Sequence, residues 1–515
     1  MMVFVYIVAA VVLLGLCIFV HELGHLLGGR LVGIKAKVFS LGFGKGFIKK
    51  KFGDTTWQIT LIPFGGYCQF YGEMPATGGM PDDEAPETSL NFYAAAPWRR
   101  MFTVFMGPFF NLLFGILLFF IMNLAGYTKD TNRIQIPAEL MSGKNISAAY
   151  AAGLRDGDRI IDINGSTVRG FDDLQMAVIF SDGEPLTVTY ERDGETKQVK
   201  ITPALGQGGR YVIGVLPYGK RLMAAGLEYG GAAERAGIRD YDEILSVDGK
   251  SVEDYGDFTG YIKTKAGEPV KIRILRNGEE QDITLTPVNE TFATIDGKPI
   301  LNRAALDKAV EKMAVKINGS KVFSSDNFWE YVKMHGGEQT TMEIDGSSVS
   351  GVLGMEERGY IGVYLAFAPE SVDVTFTVPQ ALKQAVIEPF SFIVYNLKGF
   401  GMIFSGEMSV RENLSGPVRI AQIAGDVAYY KGISAFVLLM AKISIILMVM
   451  NLLPIPAVDG SHIIFYAVEM IRGKPLSPEV MMRIQTAGVL LLIVLGIFVL
   501  VNDISMLPAI QRLFN

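Results

Sequence analysis

Residues Val3–His25 read VFVYIVAAVVLLGLCIFVHELGH. Val3–Val20 holds no charged residue, and roughly 20 apolar residues suffice to carry a helix across a bilayer core of about 30 Å. The segment lacks a basic start and a small-residue cleavage site, so it is expected to stay as a membrane span rather than be removed as a signal peptide. It can continue helically through Leu27, which puts His21-Glu22-Leu23-Gly24-His25 at the end of the span. At positions i and i+4 both imidazoles leave one helical face and can bind one metal ion, with Glu22 beside it as general base. The plainer reading is a polar cap where a span meets water, but two histidines and a glutamate make an unusual cap.

Three more stretches have the same apolar character: Met101–Ala125, Ile433–Leu453 (broken only by Lys442) and Ala487–Val501. Between the first two spans lie Arg30, Lys35, Lys37, Lys45, Lys49, Lys50, Lys51, Arg99 and Arg100, and between the last two lie Arg472, Lys474 and Arg483. Basic residues accumulate on the cytoplasmic side. Both links are therefore expected inside, and both termini and the long middle outside. That middle, Tyr127–Pro379, holds 28 Lys+Arg against 38 Asp+Glu, in a chain whose charged share is only 19%. An acidic soluble region held between apolar ends excludes a disordered chain and a cationic nucleic-acid binder. The two cysteines, Cys17 and Cys68, make no disulfide framework.

The middle repeats. Shifted by 84 residues, Ser147–Pro203 aligns without a gap on Gly231–Pro287, identical at 19 of 57 positions. Matches include Ala152-Gly153-Leu154-Arg155-Asp156 with Ala236-Gly237-Ile238-Arg239-Asp240, and Gly183-Glu184-Pro185 with Gly267-Glu268-Pro269. Asn-Gly and Asp-Gly pairs between short alternating strands mark tight turns, so each copy reads as a small α+β module. The pattern resembles a bacterial, circularly permuted PDZ domain. Such a domain binds an extended peptide C-terminus at a sheet edge, although the modules could equally be spacers or steric shields. A weaker third echo, Ile317-Asn318-Gly319 with Gly336-Gly337-Glu338, follows at a further offset of 70; there Arg303–Lys316 reads as a helix.

A catalytic zinc takes three protein ligands and keeps one position open. After His25 the chain runs Leu26-Leu27-Gly28-Gly29-Arg30, with no third histidine at the spacing of soluble enzymes. The third ligand must come from afar. Asn451-Leu452-Leu453-Pro454-Ile455-Pro456-Ala457-Val458-Asp459-Gly460 lies at the inner end of the third apolar stretch, on the same side as His21. Its two prolines break the helix at membrane depth, which is tolerated where backbone is buried or lines a wet cavity. Asp459 and His462 are both available there. His335 falls in the acidic middle, away from these elements.

HELGH in the first span and NLLPIPAVDG in the third resemble the site-2 protease family of intramembrane zinc metalloproteases, in its bacterial regulator-of-sigma-E branch. Gly42-Phe43-Gly44, Thr56–Ile62 with Phe64-Gly65-Gly66-Tyr67, Gly107-Pro108-Phe109-Phe110-Asn111 and Leu414-Ser415-Gly416-Pro417-Val418 extend the likeness along the chain. The resemblance implies a multi-span α-helical membrane protein: four transmembrane helices with a cytoplasmic β-hairpin, plus tandem extracytoplasmic α+β PDZ-like domains. It implies Zn2+ held by His21, His25 and Asp459, Glu22 as the catalytic base, and substrate backbone held near Asn451, Pro454, Pro456, Gly65 and Gly66. The hairpin around Thr56–Ile62 would pair with an unwound substrate, or else seal the cytoplasmic face. Implied partners are the lipid bilayer, peptide C-termini at PDZ-like grooves, and transmembrane substrates such as trimmed anti-sigma factors or remnant signal peptides. The location would be a bacterial inner membrane.

The corresponding division is residues 1–28 for the first transmembrane helix, 29–97 for the loop with its hairpin, and 98–126 for the second helix. PDZ-like domains take 130–206 and 210–290, with a degenerate third unit over 291–366. Amphipathic membrane-surface helices take 379–430, the third transmembrane helix with its NxxPxPxxDG motif 432–460, and the fourth 485–503. The competing reading is a non-catalytic membrane scaffold that docks peptides through its PDZ modules. It leaves Asp459 unexplained, whereas the protease reading requires Asp459 and His21 to meet.

Overall fold

The computed structural model describes residues 2–73, 91–137, 140–141, 146–206, 209–228, 230–252, 255–276, 278–311, 314–344 and 347–505. Of the loop expected over 29–97, residues 74–90 lie outside the described residues. The principal helices are α1 (Met2–Leu31), α2 (Pro97–Ala125), α3 (Val378–Phe404), α4 (Pro417–Asp426), α5 (Gly432–Leu452), α6 (Asp459–Arg472) and α7 (Pro478–Ser505). Among the described residues, four helical segments are long and apolar enough to cross a membrane: Phe4–Leu31, Pro97–Ala125, Pro417–Leu452 and Glu479–Ser505. The third runs through α4, a π-helical turn at Val427–Lys431, and α5. Each is longer than its apolar stretch, because helix continues into polar ends where nothing breaks the hydrogen-bond ladder.

The spans approach closely where they carry glycine. A Cβ on Gly24 would stand 2.2 Å from the Met106 carbonyl oxygen, and one on Gly28 would stand 2.7 Å from Met106 Cβ. A Cβ on Gly115 would meet Ile445 of α5 at 2.5 Å. In an apolar medium helices associate by such close backbone packing rather than by the hydrophobic effect. α2 is the hub, packed against α1, α3, α5 and α6.

After α1 the chain forms β1 (Ala36–Phe52) and β2 (Thr55–Phe70), an antiparallel pair whose strands each fold over. Val38–Leu41 pairs with Thr56–Ile59 on one side and with Gly66–Gln69 on the other, while Ile48–Phe52 also pairs with Thr55–Ile59. Thr56–Ile59 therefore lies between two neighbours and has no free edge, contrary to the expectation that it accepts a further strand. The segment that runs beside α1 is Gly66–Phe70: a Cβ on Gly66 would meet Ile18 and Glu22 side chains at 3.1 and 3.2 Å.

The outer region contains three copies of one order: strand, short strand, helix, hairpin. They are Arg159–Ile201, Glu243–Leu285 and Val315–Tyr360. Each has its own apolar core, centred on Leu154 and Val188, on Phe258 and Ile272, and on Phe328 and Met342. In each, the residue before a turn glycine (Asn164, Asp248 or Asn318) has positive φ, and its side chain accepts from the backbone N–H of Thr187, Lys271 or Thr341. The third copy is inserted in the second rather than following it. Val288–Ile295 leaves the second copy paired with Leu353–Tyr360, and Val363–Ala368 then returns to pair with Arg221–Leu227 of the second sheet. The boundary expected between 210–290 and 291–366 thus gives way to a nested unit on a two-stranded neck.

The first two copies share a buried ion pair that has no counterpart among the described residues of the third. Arg192 clasps Asp158, and Arg276 clasps Asp242 through Nε at 2.6 Å while also donating to the Gly237 carbonyl at 2.7 Å. Both aspartates are 1% exposed. Removing one partner of a buried pair leaves an uncompensated charge and costs about 3–5 kcal/mol. Arg276→Ala is therefore expected to loosen the second unit, seen as faster amide exchange in Val270–Leu285 with Leu186–Ile201 unchanged.

Two short strands, Tyr127–Asp130 and Ser371–Val374, pair at the base of the outer region, next to the end of α2 and the start of α3. α3 begins with a capping box between Thr377 and Gln380. Ala385 packs on Phe119 of α2, and Phe392 and Phe400 pack around Ile445 and Val449 of α5. The first outer unit reaches the same helix through Arg169–Gln384 and a Phe180–Tyr395 stack. Val378, Leu382, Val386, Phe390, Val394 and Leu397 remain exposed along it, while its inner side packs on the apolar helices.

Candidate metal centre

HELGH lies within α1, so its histidines rise from one face a single turn apart. Their ring centroids are 4.7 Å apart and their Nε2 atoms 3.2 Å apart. The third donor comes from the break after α5. Leu453 precedes a proline and is extended, as the clash with the proline ring requires. Ala457 turns through a positive φ of 77°, and Val458 is extended before Asp459 opens α6. Gly460 makes this tight reversal feasible, because a Cβ there would stand 2.1 Å from the Leu453 carbonyl oxygen. Asp459 Oδ2 reaches 3.1 Å from His21 Nε2 and 3.5 Å from His25 Nε2.

These three residues form the one group of metal-ligating side chains found among the described residues, their donor atoms all within 4.8 Å of one another. Two further observations test whether the group suits a cation. Asp459 Oδ2 is buried, and among the described residues no donor bonds it with acceptable geometry despite the two adjacent imidazoles. His25 Nδ1 lies 3.1 Å from the Thr103 carbonyl oxygen. A carbonyl only accepts, so Nδ1 carries the proton and the Nε2 lone pair points to the group's centre. Two imidazole nitrogens and one carboxylate oxygen, with room left over, are the donor set of a catalytic zinc.

Glu22 is buried, with the Gly66–Phe70 segment that carries Cys68 running alongside. Burial pushes the Cys68 thiol well above its ordinary pKa, so it stays protonated and is no competing nucleophile. Gly107 of α2 closes the wall behind His25, where a Cβ would stand 2.3 Å from the ring.

The sequence candidates distribute unevenly around this centre. His21, His25 and Asp459 converge, with Glu22 on the same turn. Gly66 is at Glu22, and Gly65 next to it has a φ of 120° that favours glycine. Asn451 occupies the last turn of α5, Pro454 is exposed in the link, and Pro456 packs on Gly488 of α7. His462 turns to Gln485 of α7 at 3.0 Å and lies outside the three-donor group. His335 is in the outer region, stacked on Tyr331 and 3.0 Å from Glu338. Sequence reasoning assigned no role to Thr103, and Gly107 and Asn111 entered only as part of the family likeness. A polar Asn111 in an apolar span was the available signal.

The profile of Peptidase family M50 matches residues 9–495. A Treponema pallidum protein described as "Putative zinc metalloprotease" is 28% identical over 513 residues, covering 97% of this chain and 99% of the relative. Similarly described proteins from Neisseria meningitidis and Vibrio cholerae are 27% and 24% identical, covering 95% and 97% of this chain and 96% and 98% of theirs. A solved PDZ domain of an SdrC-like protein from Listeria monocytogenes is 24% identical and covers 16% of this chain and 85% of its own, but its TM-score of 0.14 carries no weight for the fold. With the profile spanning HELGH, the apolar helices and the Asp459 turn together, the chain belongs to peptidase family M50.

Proposed function

We propose that this chain is a zinc metalloprotease that hydrolyses peptide bonds within the transmembrane segments of single-span proteins. The observation that carries the reading is the meeting of His21, His25 and Asp459 on apolar helices, with Glu22 beside them. When bound there, zinc supplies Lewis acidity that polarises a carbonyl and makes water a stronger acid. Glu22 takes a proton from the attacking water as the new C–O bond forms, then delivers it to the amine nitrogen as the C–N bond breaks.

A transmembrane helix buries its amides in its own hydrogen bonds and must unwind before attack. Gly65 and Gly66 lie in the strand segment packed beside Glu22, which supports docking of the unwound chain by backbone pairing to this segment. Asn451 and the two prolines form the opposite wall in this reading. The basic links favour a cytoplasmic hairpin and an extracytoplasmic outer region in a bacterial inner membrane.

Purified chain in bilayers should cut a model single-span substrate within its apolar segment; a zinc chelator should stop the reaction, and added zinc should restore it. Absence of cleavage by zinc-loaded protein on several such segments would overturn the proposal. The outer units act in this reading as a filter against bulky ectodomains, or as docking sites for peptide ends. Deleting Ile134–Ala366 leaves the pairing of Tyr127–Asp130 with Ser371–Val374 intact. The deletion is expected to admit substrates with untrimmed ectodomains; selectivity equal to that of the full chain would sink the filter.

A further inference from the structure

Asn111 is wholly buried in α2, one turn beyond Gly107, in a segment long and apolar enough to cross a membrane. A primary amide in such surroundings is costly unless its polar atoms are engaged. Its backbone is engaged: Ser444 Oγ of α5 donates to the Asn111 carbonyl at 2.9 Å. Its side chain is engaged at one atom only. Nδ2 stands 3.3 Å from His21 Nδ1, and Oδ1 has no hydrogen-bond partner among the described residues.

The two ends of an amide differ in chemistry but hardly in shape, so which of them faces a neighbour follows from the hydrogen bonds. His21 presents Nε2 to Asp459 and His25. For Nε2 to offer its lone pair, the ring proton must be on Nδ1. An Nδ1–H pointed at an NH2 group would set donor against donor. Turning the amide by half a revolution brings Oδ1 to His21, gives the orphaned oxygen its partner and removes the clash.

We propose that Asn111 is the positioning residue of His21: its side-chain carbonyl accepts the Nδ1–H, fixing both the tautomer and the plane of the imidazole. α2 then supplies both outer acceptors of the centre, the Thr103 backbone carbonyl for His25 and the Asn111 side chain for His21. Only the second can be removed by substitution. Ser444 keeps this stretch of α2 in register with α5, the helix that leads into the Asp459 turn.

The inference rests on the metal-centre reading, and the experiment separates the two. Zinc affinity of the purified full-length protein is measured by chelator competition for the wild type, Asn111→Leu and Asn111→Asp, with cobalt absorption spectra as a second readout. Loss of an outer-sphere partner of a metal-bound histidine typically weakens binding 10- to 100-fold. Asn111→Leu, which fills the space without an acceptor, is expected to show that loss and an altered cobalt spectrum. Asn111→Asp, which keeps an acceptor oxygen, should bind zinc within a few-fold of wild type. If the leucine variant does not fold, Asn111→Ala takes its place in the same comparison with Asn111→Asp. Wild-type affinity in the variant without an acceptor, or equal weakening in both variants, overturns the inference. A wild type that binds no stoichiometric zinc overturns the metal-centre reading itself.

Discussion

Glu22→Gln is expected to reduce intramembrane cleavage by about 10²–10⁴-fold, the usual contribution of a positioned general acid–base group. Glutamine has nearly the same shape, so the packing against Gly66 stays. What disappears is the capacity to take a proton from water and return it to the leaving nitrogen. Glu22 is not among the three converging donors, so the variant should hold as much zinc as the wild type. The pairing of results is diagnostic: full metal content with lost turnover marks a proton carrier, whereas loss of both would make Glu22 a ligand. Cleavage at the original rate would remove the mechanism. The assay is turnover of a model single-span substrate alongside metal analysis of the same preparation.

Gly107→Ala should be nearly as damaging, although it adds one methyl group to a helix that tolerates alanine well. That methyl would stand 2.3 Å from His25 Cε1 and 2.5 Å from Nε2. The ring cannot turn away without breaking its bond to the Thr103 carbonyl, so either the imidazole or α2 must shift. Misplacement near 1 Å at a reacting centre can cost about 10²-fold in rate, and zinc affinity should fall with it. Gly15, which has open space around its would-be Cβ, is the control: Gly15→Ala should leave cleavage and zinc content unchanged. Normal activity in Gly107→Ala would mean that the wall is softer than its geometry indicates.

The helices that carry the site were legible because apolar length and helical spacing are local properties. His21 and His25 are one turn apart in any helix, whatever surrounds it. Asp459 could be nominated by its place after two prolines, but whether it or His462 turns toward α1 depends on the Ala457 and Gly460 reversal, which spacing alone does not decide. The repeat revealed two outer modules and an echo of a third. It did not reveal the nesting, because Val363–Ala368 has its partner in Arg221–Leu227, far earlier in the chain, and strand pairing leaves no periodic trace. The hairpin misled for a related reason: Thr56–Ile62 reads like an edge strand, yet the register places its first part, Thr56–Ile59, between neighbours on both sides. Asn111 and Thr103 act through a side-chain amide and a main-chain carbonyl, and a carbonyl has no sequence signature at all.

The nested unit also bears on when the outer region can fold. Arg221–Leu227 emerges early, but its partner Val363–Ala368 follows the whole inserted unit. Contacts so distant in sequence require loop-closure entropy to be overcome before they stabilise anything, which slows folding. The first unit can close as soon as Leu216–Pro217 reaches Ile134–Gln135. The second must wait with an open sheet edge until the third has formed its own core and its neck has brought the returning strand into place. The topology predicts closure in the order first, third, second, and the unit expected to close last is the one whose Arg239 and Tyr241 reach Tyr429 and Tyr430 at the π-helical turn above α5. That contact braces the outer end of α5, the helix that leads into the Asp459 turn, and it is complete only once the returning strand has closed the second unit.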